Sequence, residues 1–516
     1  MVNKLTFKPG TRWLAKGSML LASLLVLAGC SLAPTYEVPE APGQSATAFK
    51  EGPQGWSRAE FRKEESGTWQ TANPSEALSR GEWWTIFGDD RLNELEQQAL
   101  EANQNLKAAA ARLKEARAMV QAAKAGWFPT LDAGFGPTRM QQSAASQMQP
   151  DGTNVPQQTL WRAQASASYE VDLFGRVAST VDASKADAQQ SDALFRSVQL
   201  ALQADVAQNY FALRGLDAEA EVFTTTVKLR EEALQLVDRR FAEGDISELD
   251  VSRARAELAT ARSDAMTVQR LRATSEHSLA VLLGKAPAEF SMPAMPLQAV
   301  NVRVPAGLPS SLLERRPDVA AAERAMAAAN ARIGLAKAAF FPSLTLTGVG
   351  GFESATLGDL FKWSSRAFLL GPLAGTALNI PIFDGGRRSA NLENARDRHE
   401  EEVAKYRQQV LTAFREVEDS LSDLRILEGQ TRTQSDAVAA AARAAAISRT
   451  QYTEGAVNYL DVIDAERTSL QTRRAAVQLQ GVQAAATVNL IRALGGGWDG
   501  ADKATPVAAA PAVAQR

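Results

Sequence analysis

Apolar residues recur every three or four positions through the first half of the chain: Phe195, Val198, Leu202, Val206, Tyr210, Leu213, Leu216, Ala220, Phe223, Val227, Leu234, Val237 and Phe241, with a single skipped position. That spacing is the seam of a coiled coil. It predicts a helix over about 178 to 243, roughly 100 Å long at 1.5 Å per residue. Proline, which breaks helices, agrees: none lies between Pro156 and Pro287 and none between Pro381 and Pro506. A different period appears from Trp161 to Asp172. There Trp161, Ala163, Ala165, Ala167, Tyr169 and Val171 alternate with Arg162, Gln164, Ser166, Ser168, Glu170 and Asp172. This predicts a strand with one apolar and one wet face. Leu131, Ala133 and Phe135 predict the strand before it, and Gln141 to Gln158 an exposed loop.

The chain then repeats itself. Phe241-Ala242-Glu243-Gly244, followed by Leu249-Asp250-Val251, matches Tyr452-Thr453-Glu454-Gly455, followed by Leu460-Asp461-Val462. Trp127-Phe128-Pro129 matches Phe340-Phe341-Pro342, each closing an alanine-rich helix. An internal duplication is the simplest account. Each half reads helix, two strands, long helix, tight glycine turn, shorter helix. The shorter pieces, about 91 to 126 and 246 to 283, are expected to stack end to end beside the long helix. The second half offers strands at Leu344 to Phe352 and Leu370 to Phe383.

Trp161 and Tyr169 lie eight residues apart on one face, about 26 Å along a strand, near the height of the apolar band of a membrane barrel with its aromatic girdles. The same alternation also suits a strand of a soluble sandwich. Two hairpins give four strands per chain, and an open sheet edge cannot face lipid. Two copies would close eight strands around a filled lumen, whereas three would close twelve around a passage. The expected fold class is therefore an α+β membrane protein, a long α-helical coiled-coil barrel plus a transmembrane β-barrel, built by tandem duplication and closed as a homotrimer.

Composition narrows the function. Lys+Arg 56 against Asp+Glu 59 leaves a formal net charge of -3, with no excess of cations for nucleic acid. His277, His399 and one cysteine are too few for a Cys/His zinc site or most histidine-based catalysis. No cofactor is expected. Lys4, Lys8, Arg12 and Lys16 precede the short apolar stretch Met19 to Ala28, as in a secretory signal peptide. Leu27-Ala28-Gly29-Cys30 looks like a lipobox, in which Cys30 carries the lipid that anchors the chain to the outer membrane.

Several motifs carry a family likeness. They are the lipobox, Trp83-Trp84 with Phe87-Gly88-Asp89, Tyr169 to Arg176, Leu308-Pro309-Ser310 with Arg315-Arg316-Pro317-Asp318, Ile380 to Arg387, and Glu454 to Val462. In this order they resemble the TolC-like outer-membrane efflux channels, particularly the lipid-anchored branch typified by OprM and NodT. The resemblance implies a homotrimer, an outer-membrane barrel, a periplasmic helical tunnel and an equatorial region. It divides the chain into a signal peptide (1–29), a lipidated segment (30–82), a first repeat (83–285), a proline-rich link (286–309), a second repeat (310–497) and a tail (498–516). It also implies a periplasmic gate at Leu460, Asp461 and Asp464, with Tyr452 helping to hold the closed state. Val457 stands where TolC itself has a basic residue, so that member's hydrogen-bonded latch does not carry over. Gly244 and Gly455 mark the helix tips that meet a periplasmic adaptor protein, which joins an inner-membrane transporter. For Asp461 and Asp464 the alternative is a solvated helix face.

The function expected is a passive exit channel of a tripartite efflux pump, not an enzyme. Asp384-Gly385-Gly386-Arg387 lacks the Lys and Ser/Thr of a P-loop, and His399-Glu400 lacks the second histidine of a zincin motif. The alternative is a periplasmic coiled-coil lipoprotein acting as adaptor or spacer, which has no need of lipid-facing strands.

Overall fold

The computed structural model describes residues 32–39, 50–51, 82–297, 316–370 and 378–496. The signal peptide, Cys30, most of segment 30–82, Leu308 to Arg315 and the tail lie outside them. The first half runs α1 (Asp90–Ala102), α2 (Gln104–Ala125), β1 (Thr130–Met140), β2 (Gln158–Val171), α3 (Arg176–Ala242) and α4 (Glu248–Leu282). The second runs α5 (Pro317–Ala338), β3 (Ser343–Ser354), β4 (Arg366–Leu370), β5 (Leu378–Asn379), α6 (Arg387–Thr453) and α7 (Tyr459–Ala493). Helices α3 and α6 each hold 67 residues, and α4 and α7 each hold 35. The duplication read from the sequence is thus kept to the residue in helix length. By contacts the chain divides into two units, one of 1–39, 114–190 and 322–405, the other of 40–113, 191–321 and 406–516.

The first unit holds an antiparallel sheet in the order β1-β2-β3-β4. Register pairs Ala133 with Ala165 and Ala165 with Gly350. β4 pairs with β3 at Gly348 to Phe352 and β5 with β3 at Ser343 and Leu344, so both occupy one strand position. Four positions per chain result, as the two hairpins predict. The expected strand to Asp172 stops one residue short, at Val171. Asp172 instead accepts the N–H groups of Val177 at 3.1 Å and Ala178 at 2.8 Å, satisfying the free donors that open α3. Asp384 does the same for α6 through the N–H of Arg388, at 3.1 Å. The two aspartate–glycine motifs are therefore helix starts.

Residues 32–39 lie along α5. Asn330 donates to the Pro34 carbonyl at 2.9 Å, and the Tyr36 hydroxyl donates to Glu323 Oε1 at 2.5 Å. Gly334 permits this approach: a Cβ there would stand 2.7 Å from Ala33 Cβ. Because alanine raises helix propensity over glycine by about 1 kcal/mol, Gly334→Ala is expected to leave the helix intact while lifting the segment. Chymotryptic cleavage after Tyr36 should then accelerate by about tenfold, the effect of about 1.4 kcal/mol of lost docking. An unchanged cleavage rate would show that the contact does not hold the segment.

In the second unit the Trp83-Trp84 motif enters the core. Trp83 donates to Gln203 Oε1 on α3 at 3.1 Å, and Asp89 both caps α1 and accepts the Tyr210 hydroxyl at 2.5 Å. The single helix expected over 91 to 126 is broken at Asn103. This residue caps α2 by accepting the Leu106 N–H at 3.0 Å and donates to the last-turn carbonyl of α4, Leu282 O, at 2.8 Å. One side chain thus joins two helix ends, which realises the expected end-to-end stacking. In the second half Arg316 takes the corresponding place, donating to Ala493 O at 3.1 Å while forked on Asp318. Phe241, the last residue of the predicted seam, is exposed, because the seam's packing ends at Val237.

Candidate functional site

Both long helices end in the same way. Gly244, at φ +82°, donates to Phe241 O, and Asp245 to Arg240 O; Gly455, at φ +77°, donates to Tyr452 O, and Ala456 to Gln451 O. These are Schellman motifs, whose left-handed residue is tolerated by glycine. A Cβ on either glycine would meet nothing within 4 Å, so both tips present open surface. Asn458 then opens α7 with a capping box, its side chain accepting from Asp461 N while the Asp461 carboxylate accepts from Asn458 N. Asp461 therefore has a structural task besides its charge.

The two tips share a core of Val237, Val251, Ala254, Tyr452, Tyr459, Val462 and Ile463. The Tyr452 and Tyr459 rings lie 5.4 Å apart. Arg240, from the other hairpin, sits 4.9 Å over the Tyr452 ring and donates to its carbonyl at 3.2 Å. Burial raises the Tyr452 phenol above its ordinary range. Val457 packs against the same core as an apolar contact. On α7, Tyr459, Val462 and Ile463 point inward, whereas Leu460, Asp461 and Asp464 are exposed together on one face within little more than a turn. Gly244, Tyr452, Gly455, Leu460, Asp461 and Asp464 are thus brought to one end of the hairpins.

Sequence reading missed the charged layer above them. Arg230 fills the skipped position of the α3 seam, with its side chain 3% exposed. It pairs with Glu257 of α4 at 3.4 Å and Glu466 of α7 at 3.1 Å. Glu466 also takes Arg449 of α6 at 2.7 Å, and Glu257 takes Arg467 of α7 at 2.9 Å. The two glutamates therefore tie the first hairpin to the second. Burial pushes the Tyr459 hydroxyl up to about 12, with Arg230 opposing and Glu466 adding to the effect. The available signal was the gap itself: an arginine at a seam position between Val227 and Leu234.

The sheet separates its chemistry by face. Leu131, Ala133 and Phe135 of β1 share a face with Trp161, Ala163, Ala165, Ala167, Tyr169 and Val171 of β2 and with Leu344, Leu346 and Phe352 of β3. Phe135 and Trp161 stack at 6.0 Å. The opposite face carries Arg162, ion-paired to Glu353 at 2.9 Å, with Gln164 beside them. Trp161 and Tyr169 sit near opposite ends of the apolar face. Among the described residues no helix is long and apolar enough to cross a membrane.

A sheet that is apolar on one face and charged on the other, in a chain that also builds two matched helical hairpins, is the make-up of a channel subunit of the outer membrane. The chain belongs to the family described as Outer membrane efflux protein, which matches residues 95–285 and, separately, 308–496. The two matches fall on the two repeats. It is 35% identical to the toluene efflux pump outer membrane protein TtgC of Pseudomonas putida, over 93% of this chain and 95% of that one. It is 33% identical to the cation efflux system protein CusC of Escherichia coli, over 92% and 97%. The open state of the MtrE outer membrane channel of Neisseria gonorrhoeae matches with a TM-score of 0.75 at 31% identity, covering 91% of this chain and 98% of that one.

Proposed function

We propose that the protein is the outer-membrane exit channel of a tripartite efflux pump, passively conducting small molecules delivered by an inner-membrane transporter through a periplasmic adaptor. The observation that carries this reading is the four-position sheet, apolar on one face, which ends in β1 on one side and β4 with β5 on the other. Unpaired edges of that kind are untenable in lipid. Three copies remove them in a twelve-stranded barrel with Arg162 and Glu353 toward the lumen and Trp161 and Tyr169 at the girdles. The adaptor or spacer alternative gives the apolar face no role. Cys30 carries the lipid anchor, and the open tips at Gly244 and Gly455 meet the adaptor. That one architecture serves relatives named for toluene and for cation efflux fits a duct whose cargo is chosen elsewhere in the pump.

The gate lies where three copies of the α7 face converge. Three Leu460 side chains narrow the passage, and rings of Asp461 and Asp464 attract cations while repelling one another. Tyr452 and the Arg240 above it hold the two hairpins closed. Asp464→Asn, and Asp461→Asn, which can keep the helix cap, are expected to raise single-channel conductance in planar bilayers. Divalent-cation block should weaken by about tenfold, about 1.4 kcal/mol of binding. Unchanged currents in both variants would remove these residues from the gate. An abundant soluble monomer in periplasmic extracts, with no crosslinked trimer in outer-membrane fractions, would overturn the channel itself.

A further inference from the structure

A cleft of about 280 Å³ lies between α3, α6 and α7, beside the charged layer. Its α7 residues, Glu466, Ser469, Leu470 and Arg473, are centred about 180° around the helix from Leu460, Asp461 and Asp464 at 100° per residue. The cleft therefore opens away from the face assigned to the gate. Three guanidiniums, those of Arg230, Arg449 and Arg473, line it against the single carboxylate of Glu466. Arg473 has no hydrogen-bond or ion-pair partner among the described residues. Arg230 Nη1 is buried and completes no hydrogen bond, although Glu466 lies 3.1 Å away. Leu229, Leu470 and Ala446 supply apolar wall.

We propose that this cleft binds a small organic dianion with an apolar body, of the aromatic dicarboxylate class. With Glu257 and Arg467 of the adjoining layer counted in, the guanidiniums of Arg230, Arg449, Arg467 and Arg473 stand against the carboxylates of Glu257 and Glu466, and two positive charges are left over. Guanidinium forks match carboxylate oxygens in geometry as well as charge. The apolar wall accommodates a ring but offers nothing to hydrated inorganic ions. The volume sits at the small end of ligand pockets, which limits the guest to one ring or a short chain. A carboxylate seated between Arg449 and Arg473 competes with Glu466 for Arg449, and so loosens one of the links between the hairpins. That consequence rests on the channel reading, because α7 is also the helix carrying Asp461 and Asp464; binding itself does not.

The test uses the full-length protein in nonionic detergent and isophthalate as probe, followed by titration calorimetry. Saturable binding is expected at about 0.1–1 mM, with none for the uncharged isophthalamide. Arg473→Ala removes an exposed guanidinium that no other described residue uses, so folding, checked by circular dichroism, is unaffected while affinity falls about tenfold; Arg473→Lys recovers part of it. Arg449→Ala gives a loss of similar size. Equal binding of isophthalamide, unchanged affinity in both alanine variants, or no saturation by about 10 mM overturns the site. Binding with no channel activity in bilayers overturns the channel reading alone, and channel activity without binding overturns the site alone.

Discussion

Gly284→Ala is expected to lower the thermal midpoint of the helical signal far more than Gly244→Ala, although both glycines close a helix in the same left-handed motif. Gly284 has φ +67° and Gly244 φ +82°, so each substitution carries a conformational penalty of about 1–2 kcal/mol. The difference lies in what a methyl group meets. At Gly244 it meets nothing within 4 Å, whereas at Gly284 it stands 2.5 Å from Ala102 O and 2.9 Å from Ala102 C. Those are backbone atoms at the joint where Asn103 couples α2 to α4, so they cannot swing aside as a flexible side chain could. Overpacking adds about 1–3 kcal/mol, and the pair of variants isolates that part because the backbone strain is shared. Equal shifts would mean that the joint yields, and that end-to-end stacking of the short helices contributes little to stability.

The second large effect concerns the sheet. Gly351→Val should abolish the proposed trimer, read by crosslinking of outer-membrane fractions, and Gly350→Val should leave it within about twofold of normal, less than 0.5 kcal/mol. Neither glycine has a positive φ, so strain is not the issue. A Cβ on Gly351 would stand 2.2 Å from Ala163 O and 2.7 Å from Gln164 Cα, inside the β2–β3 ladder, while one on Gly350 meets nothing within 4 Å. Among the described residues, the β2–β3 pairing is also the only place where the hairpin of one repeat is hydrogen-bonded to the hairpin of the other. If it separates, each chain carries two unjoined hairpins, and neither is independently stable. Assembly of Gly351→Val at the level of Gly350→Val would show that β3 can shift to absorb the side chain.

Much of the architecture is legible in the sequence because it rests on period and repetition. The three-four spacing from Phe195 to Val237 needs only side-chain polarity to be read, and the strict alternation around Ala165 needs no more. The glycines at 244 and 455 stand out because nearly every other position in those stretches favours helix. What escapes is whatever depends on a partner distant in the chain. Arg230 interrupts an apolar seam, and only the approach of Glu257 and Glu466 explains why a cation is buried there. Asp172 continues the strand's alternation, yet the free N–H groups at the start of α3 claim it. Asn103 carries no period at all, and its role exists only because α4 ends beside it. In the candidate site, Leu460, Asp461 and Asp464 are singled out in the sequence through the family resemblance, and their grouping on one exposed face of α7 is what the structure adds. The capping duty of Asp461 was missed, although Asn458 stands three residues before it.

The matched helices α3 and α6, and likewise α4 and α7, make the chain a ruler with two edges. Its tips share one apolar core, so the two hairpins must end at the same height. An insertion of seven residues would lengthen a single helix by about 10 Å while preserving its seam. Made in α3 alone, it would carry Val237 out of reach of Tyr452 and part Arg230 from its glutamates. A longer or shorter duct is therefore reachable only by concerted changes at four places: both arms of one hairpin and the corresponding arms of the other. Point substitution can alter the exposed face of α7 one residue at a time, whereas the span of the hairpins changes only by matched insertions.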